Sequence, residues 1–518
     1  MTDPVGDCFD ELTRLFHDVM ADPVDNLIID SGMEIVMDGR HIDIRFYSHI
    51  DDIAVATGTL MCIIPMMGIK GHAFKFDLGH VGYCQRAIYS NQAGAKKVIC
   101  LPLGGCYQLP LQSNFTKPSH MEVKTSVKTD KYQGHDYYNV DELLSEDHLL
   151  AREAVRAWVK QEVSPIIEDY SNRAACPTHL FKGLAEIGAF GPSLPVEYGG
   201  GGMDEIAYGV IMQELERGDS GVRSMASVQG SLVMFPIYKY APEVLKKKYL
   251  PELGSGNLIG CFGLTEPDHG SNPNGMTTNI KDDGDAYILN GAKMWITNSP
   301  VSDLAVVWAK DENDQIRGMI VESDWKGFSA PEIHGKWSLR ASITGELVFE
   351  DVRVPKSHIF PDIKGLKGPL SCLSKARYGI AWGAIGAALD CYDSALRYSL
   401  EREQFGRPIG GFQLTQKKLA EMITEITKAQ LLAWRLGSLA NAGKVTPAQI
   451  SMAKRNNVHM ALEIAREARQ IHGGMGITNE YPIMRHMMNL ETVLTYEGTH
   501  DIHLLITGQD VTGLNAFS

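Results

Sequence analysis

Four short strings in this chain of 518 residues combine residue types that do chemistry with spacings that ordinary packing does not demand. Near the C-terminus, Thr495-Tyr496-Glu497-Gly498-Thr499-His500-Asp501 is a polar break between two helical segments. A carboxylate beside glycine in such a break either caps a helix or projects into a pocket as a general base. The run Cys261-Phe262-Gly263-Leu264-Thr265-Glu266-Pro267-Asp268-His269-Gly270-Ser271 joins a helical stretch to a strand-rich one. Its composition suits the exposure of backbone N–H groups, which donate to ring carbonyls and phosphates. Trp295-Ile296-Thr297 sets an aromatic and a hydroxyl on one strand, suited to covering a flat heterocycle, although a strand Trp is more often core. The fourth string is Arg402-Glu403-Gln404-Phe405-Gly406, with Gln413 eleven residues after the arginine.

Other strings point nowhere. No G-x-G-x-x-G follows a strand, and neither a P-loop nor H-E-x-x-H occurs. Gly218-Asp219-Ser220-Gly221 matches a protease nucleophile loop by chance, and Gly199–Gly202 reads as a surface turn. His500 and His503 have helical metal spacing but no third ligand, so they read as capping or packing and no metal is expected. Composition is that of an ordinary globular protein: 44% apolar, 22% charged, mean hydropathy −0.13. The net charge of −14 and a longest basic run of only Lys246-Lys247-Lys248 argue against nucleic acid as a partner. Nine cysteines, an odd number without C-x-x-C, suggest buried thiols in a reducing compartment. The acidic start (Asp3, Asp7, Asp10, Glu11) predicts neither a secretory signal nor a mitochondrial presequence. A bacterial cytoplasm is the expected location, with the mitochondrial matrix as alternative. The uncharged run 53–69 contains Pro65 and reads as buried strands, so no membrane association is expected.

The elements that must hold the four strings change character along the chain. Residues 1–120 read as a small α+β piece of unknown function, with a helix through Phe9, Leu12, Leu15, Phe16 and Val19. A hairpin follows at Asp38-Gly39, and 107–140 reads as a linker containing Met121, which offers a second start. From 141 the period is helical, with stripes Leu150/Ala154/Trp158 and Val155/Val159/Val163, then further helices over 178–188, 204–217 and 242–250. Over 260–356 the period is that of strands, with a hairpin expected at Asn290-Gly291 and Pro355 closing the block. From 368 long amphipathic helices return; Thr446-Pro447 opens one and His472-Gly473-Gly474 closes it. Length allows about three domains at roughly 150 residues each.

Taken in order, the T-E-P-x-x-G-S and T-Y-E-G-T-H-D-I-H strings make residues 135–518 resemble the acyl-CoA dehydrogenase family, most of all its glutaryl-CoA dehydrogenase group. The resemblance implies an α+β multidomain fold: a helical N-terminal domain (135–258), a middle β-barrel domain (259–360) and a C-terminal four-helix bundle (366–518), behind the extra N-terminal piece (1–120). It implies FAD as cofactor and α,β-dehydrogenation of an acyl-CoA thioester. Glu497 would take the α-proton while the β-hydrogen leaves as hydride to flavin, with Glu497's own backbone N–H helping to stabilise the thioester oxygen. Phe262, Gly263, Leu264, Thr265, Gly270 and Ser271 would lie along the flavin, Trp295, Ile296 and Thr297 would cover it, and Thr499 would face it. Arg402 and Gln413 would reach the cofactor of a neighbouring subunit, which makes a homotetramer the expected assembly, with backbone contacts added by Gly473 and Gly474; Phe405 and Phe517 would also bind the cofactor. Leu370, Ser271 and Arg377 would meet the CoA part of the substrate.

The same resemblance puts Arg223 and Ser224 where a substrate's distal carboxylate would pair, with Tyr496 and Gly498 also at the substrate. Glu216 and Val493 match the decarboxylating members, whereas Val222 stands where many relatives have Tyr. The implied reaction is oxidative decarboxylation of glutaryl-CoA to crotonyl-CoA and CO2, with electrons passed to an electron-transfer flavoprotein. Two alternatives stay open: a non-decarboxylating or short-chain acyl-CoA dehydrogenase, and a catalytically silent flavin or acyl-CoA binding scaffold.

Overall fold

The computed structural model describes residues 135–517 and six strands between Asn26 and Cys100. The chain divides into two units, Met1–Thr125 and Ser126–Ser518. In the first, β1 (Asn26–Ile29), β2 (Met33–Asp38), β3 (His41–Phe46), β4 (Ala73–Asp77), β5 (Arg86–Gln92) and β6 (Ala95–Cys100) form one sheet in that order. All neighbours are antiparallel except β3 and β4. Asp38 faces His41 at the end of the β2–β3 ladder, which realises the hairpin signal. The helix expected over 9–19, the run 53–69 and the expected linker before residue 135 lie outside the described residues.

The second unit begins with α1 (Glu146–Trp158), α2 (Ile167–Arg173), α3 (Leu180–Glu186), α4 (Glu205–Gly218), α5 (Ser220–Ser227), α6 (Phe235–Tyr240) and α7 (Glu243–Gly254). Of the two α1 stripes, only Val155, Val159 and Val163 are buried; Leu150 is 63% exposed and Ala154 also faces outward. The reason is α4, whose Gly218 packs so tightly on Val159 that an added Cβ would lie 2.7 Å from its Cγ1.

A sheet follows, from β7 (Gly260–Gly263), β8 (Asn279–Asp283), β9 (Ala286–Thr297), β10 (Leu304–Lys310), β11 (Ile316–Glu322), β12 (Phe328–Ser329), β13 (Thr344–Pro355) and β14 (Ile359–Lys364). Its order is β12-β13-β9-β8-β10-β11-β14, with β7 running parallel beside β10. Asn290-Gly291 makes no turn here: β9 runs straight through it, with Gly291 opposite Phe349 and Leu289 opposite Val352 of β13. The irregularity is instead a bulge on β13, where Asp351 has φ 52° and exchanges hydrogen bonds with the Asn290 side chain. A Cβ on Gly291 would lie 2.6 Å from Thr278 Cα, so this glycine marks a close backbone approach. The turn into β9 falls at Gly284-Asp285, between the paired Asp283 and Ala286.

The remainder is helical apart from a small two-stranded sheet, Glu403–Gln404 paired with Arg407–Pro408: α8 (Lys367–Glu401), α9 (Gln413–Asn441), α10 (Pro447–Ile471), α11 (Ile483–Thr495) and α12 (His500–Thr512). Thr446 caps α10 through a reciprocal box with Gln449, and the helix stops before Gly473 at φ 58°. The long α8 crosses α4 at very short range. A Cβ on Gly383 would lie 2.1 Å from Glu216 Oε2, and one on Gly386 1.9 Å from Gln213 O. That contact carries Glu216, at the end of α4, into the interior. Among the described residues, no helix is long and apolar enough to cross a membrane.

Candidate active site

The polar break between α11 and α12 shows which of its residues caps the second helix. Thr499, not Glu497, is the cap of α12, its side chain accepting from the Ile502 N–H at 3.2 Å. Glu497 and Gly498 both adopt left-handed backbone, with φ 53° and 94°. For a non-glycine residue this costs roughly 1–2 kcal/mol, so the surroundings must enforce it. At 498 only glycine fits, because a Cβ would lie 2.8 Å from His503 Cε1. The Glu497 carboxylate is left with a buried Oε2 that has no hydrogen-bond partner. Burial pushes its pKa up, against the opposing pull of Arg223, Lys454 and Arg377. Its backbone N–H takes no partner among the described residues.

Cations collect beneath this bend. Arg377 of α8 is 6% exposed and donates Nε–H to the Glu497 carbonyl at 2.8 Å. It therefore sits under the bend, with its Nε–H committed to that backbone carbonyl. Burial pulls its pKa below the usual guanidinium range, opposed by the charge of Glu497. Lys454 of α10, which no sequence motif singled out, is 1% exposed and reaches the same bend. The available signal was its register: Lys454 lies three and four residues from Ile450, Ser451, Asn457 and Val458, all buried. His503 is fully buried with neither ring nitrogen bonded, and burial next to Lys454 and Arg377 pushes its pKa down to about 3. It therefore packs as a neutral ring, and no cluster of metal ligands occurs among the described residues.

Arg223 on α5 completes the group. It is 0% exposed, donates Nε–H to Glu216 Oε2 at 2.7 Å, and hydrogen-bonds the Tyr496 hydroxyl through Nη2. Ser224 Oγ lies 3.4 Å from that hydroxyl. Burial opposes the Arg223 charge, but Glu216 and Tyr496 outweigh it and its pKa is raised. The second Glu216 oxygen, Oε1, has no partner. Val222 and Val493 are fully buried nearby in sequence. The Gly218-Asp219-Ser220-Gly221 string has a structural job: Asp219 caps α5 and accepts from Arg485 at 2.7 Å and Asn489 at 2.8 Å of α11. This ties the helix carrying Arg223 to the helix leading into Glu497.

The loop after β7 and the end of β9 form a second surface. Met294 donates its N–H to Thr265 O at 2.9 Å, and Lys293 Nζ donates to Leu264 O at 3.2 Å. A bulge breaks the strand alternation here: Met294 and Trp295 together stand opposite Glu346 of β13, and Trp295 at φ 63° is turned outward, 55% exposed, with Ile296 inward at 3%. Thr297 is half-buried, Thr265 likewise, and Gly270 and Ser271 are exposed. The side chains of Phe262, Leu264 and Ile296 are core, Phe262 lying edge-on to Trp308 at 6.5 Å. Glu266 is a pin, not a reagent: it accepts from Lys293 at 2.7 Å and from Thr277 and Thr278, which together outweigh burial and hold its pKa down to about 2. Lys293→Met would leave this carboxylate buried without its cation. We expect unfolding free energy to fall by about 3–5 kcal/mol, read from denaturant melts; an unchanged melt would refute the pin.

Within one chain the structure leaves the remaining expected site residues outside the buried group. Arg402, Phe405 (95%), Gln413, Gly473, Gly474 and Phe517 (53%) are exposed, and Leu370 at the start of α8 is 39% exposed. The described cysteines, Cys176, Cys261, Cys372 and Cys391, are all free.

Comparison with known proteins matches this arrangement to three family models: "Acyl-CoA dehydrogenase, N-terminal domain" over residues 145–257, "middle domain" over 261–352 and "C-terminal domain" over 364–512. The crystal structure of glutaryl-CoA dehydrogenase from Mycobacterium smegmatis is 50% identical, covering 73% of this chain and 97% of that one, with a TM-score of 0.72. The crystal structure of a glutaryl-CoA dehydrogenase from Mycobacterium smegmatis in complex with FADH2 is 49% identical, covering 74% of this chain and 98% of that one, also with a TM-score of 0.72. Among curated proteins, the 3-(aryl)acrylate reductase of Clostridium sporogenes is 34% identical over 71% of this chain and 99% of its own length. The human mitochondrial short-chain specific acyl-CoA dehydrogenase is 34% identical over 72% and 92%.

Proposed function

Because the chain belongs to the acyl-CoA dehydrogenase family and has its three-domain architecture, we propose that it is an FAD-dependent glutaryl-CoA dehydrogenase that oxidises and decarboxylates its substrate. The observation that carries this reading is a single buried group: the unpartnered carboxylate of Glu497 in the same cluster as the fully buried Arg223. An acyl pocket for plain fatty chains has no use for a buried guanidinium, whereas a dicarboxylyl thioester brings an anion to it. Below about pH 7, where Lys454 is charged, three cations, Arg223, Arg377 and Lys454, face two carboxylates, Glu216 and Glu497, and an arriving anion balances the excess.

The residues fit a flavin: the Trp295 ring stands 55% exposed beside a loop whose backbone is fixed by Lys293 and Met294, and a planar heterocycle would cover it. Trp295, Thr297, Thr265 and Ser271 would hold the ring side, and Arg402, Gln413 and the Gly473-Gly474 backbone, all exposed, would serve a neighbouring subunit of a homotetramer. When bound, FAD supplies the two-electron acceptor for the β-hydrogen, and an electron-transfer flavoprotein is the proposed outlet. Glu497 removes the α-proton; a carboxylate with raised pKa is the better base toward a weak carbon acid. The Glu497 N–H donates to the thioester oxygen as charge develops there. Arg223 holds the distal carboxylate of the substrate. After oxidation the C–C bond to that carboxylate breaks, its electron pair enters the conjugated thioester, and protonation of the resulting carbanion gives crotonyl-CoA beside CO2.

One observation favours a second reading, a non-decarboxylating or short-chain enzyme: Arg223 already has Glu216 and Tyr496 as partners. The visible spectrum of the flavin-loaded protein before and after each thioester separates the two, with CO2 measured. We expect bleaching and stoichiometric CO2 with glutaryl-CoA. Preference for butyryl-CoA without CO2 would leave only the second reading, and no bleaching by either would revive the silent scaffold.

A further inference from the structure

Three successive backbone carbonyls turn toward buried cations at the bend. Lys454 Nζ donates to Tyr496 O at 2.5 Å and to Gly498 O at 2.8 Å, while Arg377 takes Glu497 O between them. Both hydrogen bonds of Lys454 go to backbone, from a helix, α10, that is remote in sequence from the bend. A buried ammonium is costly unless it satisfies something specific. Here it satisfies the two carbonyls that flank a non-glycine residue in left-handed conformation, the kind of geometry that persists only where several contacts enforce it.

We infer that Lys454 is the positioning residue of the general base, clamping the carbonyls on either side of Glu497 so that its carboxylate is held at one place and its charge is balanced. The inference deepens the proposed function and rests on it. The groups facing Lys454 are Glu497 and Tyr496 at the bend, Glu216 of α4, Arg223 of α5, Arg377 of α8, and His500 and His503 of α12. Burial foremost pushes the Lys454 pKa down, to about 7, with Glu497 pulling the other way. An uncharged amine still carries two N–H groups, enough for two carbonyls. The clamp therefore holds on both sides of that pH, and only the electrostatic support of Glu497 changes.

The test compares flavin-loaded wild type with Lys454→Met and Lys454→Arg. Three readouts are taken: flavin content, turnover of glutaryl-CoA and butyryl-CoA, and wash-in of deuterium at the α-carbon in D2O, which reports proton removal by itself. K454M should keep its flavin and a KM within about threefold, while kcat and wash-in both fall roughly 10²-fold, the scale of a reacting group displaced by about 1 Å. Without the cation, the acid limb of the K454M pH profile should move upward, and K454R should recover activity at least tenfold. Turnover by K454M within threefold of wild type, or equal loss in both variants with no displacement of the acid limb, would overturn the inference. Should K454M not fold, Lys454→Gln, which keeps one donor group, decides the matter: partial loss supports the clamp and wild-type turnover refutes it. Absence of both turnover and wash-in from wild type with either thioester would instead remove the functional reading beneath it.

Discussion

Glu497→Gln is expected to lower turnover by about 10⁴-fold, the upper range for loss of a general base, while flavin content stays at the wild-type level. The amide matches the carboxylate in shape but cannot accept the proton. Because Glu497 Oε2 is buried without a partner, the change breaks no hydrogen bond at that atom and removes a desolvated charge. Stability should hold or rise, and a melt that fell with activity would argue for a structural carboxylate. The wild-type pH profile tests the same assignment. Burial raises the Glu497 pKa, and only the ionised form is a base, so activity should climb with pH through a limb above the ordinary carboxylate range. An acid limb near pH 4, or bleaching by E497Q at an unaltered rate, would remove Glu497 from the reaction.

Arg223→Met carries the second large effect, and it has two parts. The first is stability: Glu216 has one oxygen on Arg223 and the other unpartnered, so removing the guanidinium strands a buried carboxylate at a cost of about 3–5 kcal/mol. The second is substrate choice. A desolvated charge pair lost from an interface is worth about 2–5 kcal/mol, so kcat/KM for glutaryl-CoA should fall roughly 10²–10³-fold, with butyryl-CoA changed far less. Combining Arg223→Met with Glu216→Gln separates the parts: stability should largely return, whereas the preference should not. If either variant kept the preference for glutaryl-CoA, Arg223 would be a structural partner of Glu216 only.

Much of the second unit was legible before any coordinates. The α10 cap at Thr446-Pro447 and the helices over 180–186 and 205–218 appear where local signals put them, whereas the strand block runs past the expected stop at Pro355 into β14, which pairs with β11. Such signals depend on neighbours a few residues apart, and backbone hydrogen bonding at caps and turns is decided at that range. Asn290-Gly291 shows the limit. The same dipeptide that favours a two-residue turn was overruled by β13, which pairs with β9 on both sides of it. The α1 stripes were undecidable for a similar reason, since either would serve until α4 chose the valines.

The site divides along the same line. By itself the sequence determined the candidate groups and their order: a carboxylate beside glycine in a polar break, a loop rich in exposable N–H groups, a Trp and a hydroxyl on one strand, an arginine on a helix. Tertiary structure alone decided that Thr499 caps α12 and leaves Glu497 unpartnered, that Arg377 holds a backbone carbonyl, and that Lys454 lies beneath the bend. Those outcomes rest on burial and on donors brought from three helices, α8, α10 and α12. Desolvation depends on what surrounds a group in space, which residue types and local spacing leave undetermined.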